Sequence, residues 1–319
     1  MQSAQIGIYG LGTMGRALAL NFAEQGLTVA IANREADWIA DVLALAGPLA
    51  PRLMPADTLS DFVAQLARPR HILFMIPSGA PMDEMITRIA PLLDAGDTII
   101  DGGNANFNAT RRRSATLHAK GLHFVGMGVS GGAEGARHGP SLMVGGSDHS
   151  WSGLQPMLRA IAARYDDDPC VAHVGTDGAG HFVKTVHNGI EYADMQMIAE
   201  IYGLLRDGMG WDAGQIGAMF DTWSQGPLAS FLVETTAQVL AARDTETGHP
   251  LVDVILDKAG QKGTGRWTVI EALKLGQSAN TIEAAVGARA WSSQKELRQQ
   301  IDAGQNSPTP VAMIPPPDV

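Results

Sequence analysis

Ile6-Gly-Ile-Tyr-Gly10-Leu-Gly-Thr-Met-Gly15 opens the chain with a short apolar run and then three glycines in the spacing GxGxxG. Ile6–Tyr9 predicts a buried strand. An Ala/Leu-rich helix should follow to about Gln25, and Leu27–Ala32 predicts a second strand. Strand, glycine loop, helix and strand in this order form the unit that holds a dinucleotide. Gly10 permits the tight turn, Gly12 lets the backbone approach a pyrophosphate, and Gly15 lets the helix pack close to the strand. The helix N-terminus then faces the negative charge. Gly10, Leu11, Gly12, Thr13, Met14 and Gly15 are therefore the candidate cofactor loop. The residues after the second strand are Asn33, Arg34 and Glu35. An arginine there accommodates a 2'-phosphate and favours NADP, whereas an acidic side chain suits the 2'-hydroxyl of NAD. Arg34 leans the reading to NADP, Glu35 would repel a phosphate if it pointed inward, and NAD stays open.

The remainder of the first half continues the alternation. His71–Ile76 predicts a strand, Met82–Leu93 a helix, Thr98–Asp101 a strand and Ala109–Lys120 a helix. Asp101-Gly-Gly-Asn104 places Asn104 at a strand end, where ligands of an open parallel sheet sit. A turn residue after two glycines would read the same way. Ser130-Gly131-Gly132 could present a hydroxyl and successive backbone N–H groups to a carboxylate, and a glycine-rich hairpin would look alike.

Beyond Gly175-Thr-Asp-Gly178 the pattern turns helical. Gly180-His-Phe-Val-Lys-Thr-Val-His-Asn-Gly-Ile-Glu-Tyr192 sets Lys184, His187, Asn188 and Glu191 at i, i+3, i+4 and i+7, one stripe on a largely apolar helix. A solvated face is the bland reading. A Lys, a His, an Asn and a Glu between apolar flanks instead suit acid–base chemistry. Lys184 and Glu191 stand two turns apart, about 10 Å along the axis, at opposite ends of a small linear substrate. Further helices are expected over Phe182–Leu205, Leu228–Ala242, Leu251–Ala259, Trp267–Lys274 and Thr281–Gln299. The loop Asp257–Gly265 carries Lys262 and Thr264 between glycines and suits a phosphate. The expected architecture is an α/β Rossmann-type doubly wound sheet domain over residues 1–177, an all-α helical domain over 178–302, and a disordered Pro-rich tail over 303–319.

Composition sets the surroundings. The chain has 319 residues, 45% of them hydrophobic, with 33 acidic and 23 basic residues and a net charge of -10. That balance gives no general attraction to nucleic acid or to an acidic membrane. Cys170 is the single cysteine, which suits a reducing cytosol. Residues 1–9 carry no signal-peptide pattern, and no apolar run is long enough to span a bilayer, so a cytoplasmic location is expected. Met195, Met197, Ile198, Ile201, Leu204 and Leu205 load one long helix with more apolar surface than a single facing helix covers. A homodimer is therefore expected.

Taken together, GLGTMG at Gly10–Gly15, NR at Asn33-Arg34, DGGN at Asp101–Asn104, GVSGGAEGARHGPSLM at Gly128–Met143, GHFVKTVHNGIEY at Gly180–Tyr192 and LDKAGQKGTGRW at Leu256–Trp267 resemble decarboxylating 6-phosphogluconate dehydrogenases. The resemblance covers residues 4 to about 300. It implies oxidative decarboxylation of 6-phospho-D-gluconate to D-ribulose 5-phosphate and CO2 with reduction of NADP or NAD, and no metal. It also implies that Lys184 is the base and Glu191 the acid. Asn104, Ser130, Gly131, Gly132, His187 and Asn188 would hold the sugar acid, and Tyr192, Lys262, Thr264 and Arg289 its phosphate. A non-decarboxylating 3-hydroxyacid dehydrogenase would not need Glu191. An inactive nucleotide-binding homologue left by truncation is the third reading. Departures from the family are Glu35 where a small hydroxyl residue is usual among NADP users, Gly12 where Ala is frequent, and Val144 for a frequent Pro. The long form of the family also continues into further helices and a tail that reaches the partner subunit. This chain is either a short form completed by its dimer partner or a truncated long form.

Overall fold

Among the described residues, ten strands follow in chain order as β1 (Ile6–Tyr9), β2 (Val29–Ala32), β3 (Leu53–Pro55), β4 (His71–Phe74), β5 (Thr98–Asp101), β6 (His123–Ser130), β7 (Ser141–Gly145), β8 (Arg164–Tyr165), β9 (Asp168–Pro169) and β10 (Val171–Gly175). The computed structural model describes residues 3–304. Eight of these strands form one sheet in the order β10-β7-β6-β5-β4-β1-β2-β3, and β8 pairs with β9 apart from it. From β3 across to β6 every pairing is parallel, while β7 runs antiparallel to β6. The chain order reverses between β1 and β4, which makes the carboxyl ends of these two strands the switch point where ligands of open sheets bind.

The central strands are apolar at consecutive positions because both faces are covered. Ile8, Leu73, Ile100 and Val125 enter one core with Leu18 and Phe22 of helix α1 (Thr13–Glu24). Tyr9, Ile72, Phe74, Ile99 and Phe124 enter the other, with Phe62, Met82 and Leu117. The last two belong to helices over Ala80–Ile89 and Phe107–His118. The chain divides into two compact units, Met1–Thr185 and Val186–Val319. The division falls inside the helix Ala179–Gly203, called the pivot helix below.

The second unit is helical. Helices Ala213–Ser224 and Phe231–Ala241 enclose a small core of Ala213, Ile216, Phe220, Ala237 and Leu240. The first of these was not expected from the sequence, because Gly214 and Gly217 weaken its helical signal. Its N-terminus is closed by a capping box of Asp212 and Gln215, and Gly217 sits where a Cβ would crowd Leu240 Cβ at 3.1 Å. The helix expected over Leu251–Ala259 stops at Val254. The one expected over Thr281–Gln299 is two helices, Asn280–Ser292 and Lys295–Gly304. At that break Arg298 donates to the Ser292 carbonyl at 3.1 Å, which a continuous helix would have reserved for a backbone N–H. Residues 303 and 304 close the last helix, and the rest of the expected Pro-rich tail lies outside the described residues. Among the described residues no helix is long and apolar enough to cross a membrane.

His71 and His123 begin strands β4 and β6, and burial holds both imidazoles below their ordinary value of 6.5. The unfolded chain therefore takes up these protons first as pH falls. Their contribution to stability is complete above 6.5 and is lost as pH drops through the lower folded values. Urea unfolding should accordingly give a midpoint that declines as pH is lowered from about 7.5 to about 5.5. A level midpoint across that interval would contradict it.

Candidate functional site

The glycine loop closes on itself through backbone. Gly10 has φ +98°, and a Cβ there would meet the Met75 carbonyl at 2.5 Å. A Cβ on Gly15 would meet the Gly10 carbonyl at 1.8 Å. Gly12 differs, since its Cβ would find the Trp38 ring at an ordinary 3.7 Å. Protein packing does not require glycine at position 12, so the space it leaves faces outward. No side chain among the described residues caps α1, and its first backbone N–H groups remain for an anion. Two cavities meet at this terminus. One, of about 130 Å³, is lined by Gly12, Thr13, Arg16, Trp38 and Asp41. The other, of about 270 Å³, runs from Gly12–Gly15 to Gly102, Gly103 and Asn104. An uncapped helix end between two cavities fits a dinucleotide's central pyrophosphate.

Asn33 ties this loop to the end of β2. Its Oδ1 accepts from the Leu11 N–H at 2.9 Å, and its Nδ2 donates to Glu35 Oε2 at 3.0 Å. The Leu11 amide is thus engaged within the protein, and its side chain is buried. Arg34 turns outward and donates through Nε to Glu35 Oε1 at 2.6 Å. The adjacent guanidinium, with the Asn33 amide, holds the Glu35 carboxyl below the ordinary carboxylate range.

Beneath the Asp101–Asn104 loop lies a polar network that the sequence reading did not pick out. Asp101 Oδ1 accepts from the Gly103 N–H at 3.0 Å, and Arg113, itself bound to Asp83 and the Gly79 carbonyl, approaches Oδ2 at 3.4 Å. His181, on the first turn of the pivot helix, bridges to the same strand end. Its Nε2 lies 3.0 Å from the Asp101 carbonyl and its Nδ1 2.6 Å from Thr110 Oγ1. A carbonyl only accepts, so Nε2 carries the proton. Burial pushes the imidazole below its ordinary range, and the neutral ring then accepts at Nδ1 from the Thr110 hydroxyl. Burial also raises the Asp101 carboxyl. Asn104 itself is exposed at the mouth of the larger cavity.

The first turns of the pivot helix lie directly on strand backbone. A Cβ on Gly180 would come within 2.2 Å of the Gly126 carbonyl and 2.5 Å of the Met143 carbonyl. A Cβ on Gly128 would meet Lys184 Cβ at 2.5 Å. Glycines on both partners therefore seat Lys184 against β6, two residues before Ser130 at the strand end. Lys184 is 6% exposed and Asn188 9%, so this part of the stripe is not a solvated face. The sign of the reading was available in Val125-Gly-Met-Gly-Val129, where glycines at period two strip one face of the strand. Ser130-Gly131-Gly132 leads from β6 into a short helix, Gly132–His138, and not into a hairpin.

Within the second unit, His187 Nδ1 lies 3.3 Å from Asn188 Oδ1 and 3.5 Å from Glu191 Oε2. One turn further, Tyr192 gathers the remaining candidates. Its hydroxyl accepts from the Lys262 N–H at 3.3 Å, and the Arg289 guanidinium stacks over its ring at 4.0 Å from the centroid. Arg289 also donates to the Gly260 carbonyl at 2.8 Å. Thr264 starts the helix Thr264–Lys274 and is buried beside this loop. Gly265 has no Cβ because one would touch the Tyr192 ring at 2.6 Å. Tyr192 thus gathers the Lys262 backbone and the Arg289 guanidinium, far apart in sequence, around one ring.

Comparison with known proteins gives concordant results over both units. Residues 5–175 match the NAD binding domain of 6-phosphogluconate dehydrogenase, and residues 180–313 match its C-terminal domain. A decarboxylating 6-phosphogluconate dehydrogenase from Synechococcus elongatus is 50% identical over 301 residues, which are 94% of this chain and 64% of that protein. The NAD(+)-dependent decarboxylating enzyme of Bacillus subtilis is 47% identical over 294 residues, 92% of this chain and 62% of its own length. A solved Plasmodium falciparum 6-phosphogluconate dehydrogenase, described with NADP+ and with 6-phosphogluconate, superimposes with a TM-score of 0.92. It is 37% identical, over 98% of this chain and 67% of that one. The chain spans less than two thirds of the length of these two curated relatives.

The packing of the pivot helix makes a direct test. Gly180→Ala should destabilise the protein by at least about 2 kcal/mol despite the helix propensity of alanine, because the new methyl meets backbone. Gly12→Ala should change stability by less than about 1 kcal/mol. Denaturant unfolding of both variants checks this, and equal losses would refute the distinction.

Proposed function

Because this chain belongs to the 6-phosphogluconate dehydrogenase family, we propose that it oxidatively decarboxylates 6-phospho-D-gluconate to D-ribulose 5-phosphate and CO2. The observation that carries this reading is the buried Lys184 beside the end of β6, on the helix that also bears Asn188 and Glu191. A bound NAD or NADP supplies the hydride acceptor. The uncapped start of α1 holds its pyrophosphate, and Asn104 lies along the same cavity.

Lys184 Nζ takes the proton of the C3 hydroxyl as hydride leaves C3. The resulting 3-keto acid has its carboxylate β to a carbonyl, so CO2 departs and leaves an enediolate. The protonated Lys184 stabilises that charge. Glu191 then delivers a proton to C2 of the substrate, which becomes C1 of ribulose 5-phosphate, a step that a non-decarboxylating dehydrogenase would not require. Ser130, Gly131, Gly132, His187 and Asn188 orient the sugar acid. Tyr192, Lys262, Thr264 and Arg289 receive its phosphate, where Arg289 supplies the forked donor that suits such a group.

The same reading includes a cytosolic homodimer. Ile190, Met197, Ile201 and Leu204 recur along one face of the pivot helix and its last turn and are 37–66% exposed. Trp223 and Leu228 continue that apolar surface around a groove of about 430 Å³ that reaches the buried Phe220. A second copy covers such a surface most economically.

Incubation with 6-phosphogluconate and NAD or NADP should form reduced nicotinamide and CO2 in equal amounts. Reduced nicotinamide without CO2 would favour the non-decarboxylating reaction, and neither product would refute both. Lys184→Met should still bind substrate and lose about 10²–10⁴-fold in turnover. Retention of more than about a tenth of the rate would remove Lys184 from the base role. Light scattering should give twice the 33.7 kDa chain mass, and a monodisperse, fully active monomer would refute the dimer.

A further inference from the structure

Strand β2 ends beside β1 and is followed at once by Asn33, Arg34 and Glu35. In dinucleotide folds this point meets the adenosine ribose, where a carboxylate binds a 2'-hydroxyl and an arginine accepts a 2'-phosphate. Both residue types are present here, and they are bound to each other. Arg34 places Nε 2.6 Å and its terminal nitrogen 2.5 Å from Glu35 Oε1. Glu35 Oε2 is held from the other side by Asn33 Nδ2 at 3.0 Å, and Asn33 in turn holds the Leu11 N–H. The carboxylate is therefore anchored to the glycine loop itself. The arginine projects outward, its side chain 84% exposed against 42% for Glu35.

We propose that Glu35 is a specificity-determining residue that makes this chain select NAD over NADP. Glu35 accepts a hydrogen bond from the ribose 2'-hydroxyl and opposes a 2'-phosphate, while it engages the cation that would otherwise receive that phosphate. The surrounding charge acts in the same sense. Helix Ala36–Ala46 carries Asp37 in its first turn, and Asp41 lines the cavity beside Gly12 together with Arg16. Two arginines thus stand among three carboxylates at this end of the site. A phosphate dianion would have to separate Arg34 from Glu35 and lie against the bared carboxylate, with like charges in contact. A hydroxyl instead donates to an acceptor already ionised and oriented. The proposal rests on the dinucleotide reading of the first unit and does not depend on the reaction.

Calorimetric titration of the full chain with AMP and with adenosine 2',5'-bisphosphate tests it without any catalytic step. The expected result is AMP bound about tenfold or more tightly than the bisphosphate. Glu35→Gln should shift that ratio toward the bisphosphate by about tenfold. Arg34→Ala in the Glu35→Gln background should remove the gain, since the released arginine then supplies it. Both side chains lie at the surface, and thermal unfolding confirms that the variants are folded. A wild-type preference for the bisphosphate, or a ratio unmoved by Glu35→Gln, overturns the proposal while the dinucleotide site stands. If neither nucleotide binds, the dinucleotide reading falls and the proposal with it.

Discussion

Direct contact between a helix and the backbone of a sheet sets the position of much else in this protein. An α-helix ordinarily rests on a layer of side chains, but at Gly180 no Cβ separates the pivot helix from the carbonyls of Gly126 and Met143. The same approach brings Lys184 Cβ against Gly128. A lysine on an exposed helix samples many positions at the end of a long stem. Here the root of the side chain is clamped and the residue is buried, so its conformational freedom is largely removed by folding. The start of the helix becomes a rigid support for the root of that side chain.

The buried polar network extends this rigidity to the neighbouring strand. His181 binds the Asp101 carbonyl and the Thr110 hydroxyl, and Asp101 binds the Gly103 amide. Strand end, glycine turn and helix are thus connected by hydrogen bonds shielded from water, where an unsatisfied member would be costly. The chain's overall negative charge makes such local arrangement necessary. With no general field to attract an anion, local donors such as the uncapped start of α1 and the Arg289 guanidinium matter more.

Much of this was legible in the sequence, and the reason differs from element to element. The strands Ile6–Tyr9 and Thr98–Asp101 were recoverable at their observed limits because both sheet faces are buried and turn residues bound them. The stripe from Lys184 to Glu191 follows from helical periodicity alone. The helix Ala213–Ser224 was hidden because its two glycines oppose local propensity, although Gly217 serves packing against Leu240, and its capping box was the remaining signal. His181 was hidden for another reason. A histidine on an apolar helix face has no pattern of its own until strand and helix are brought together. The pairing of Arg34 with Glu35 likewise depends on side-chain rotamers that adjacency in sequence does not determine.

The bond between Asn33 and the Leu11 amide bears on the thermodynamics of ligand capture. A loop rich in glycine would ordinarily be an ensemble, and ordering it would consume part of the affinity gained on binding. Here one side-chain amide holds the loop's first turn while the amides beyond it stay available. The entropic penalty is met when the chain folds, so the adenosine end should dock as if into a prefabricated socket, with little structural rearrangement.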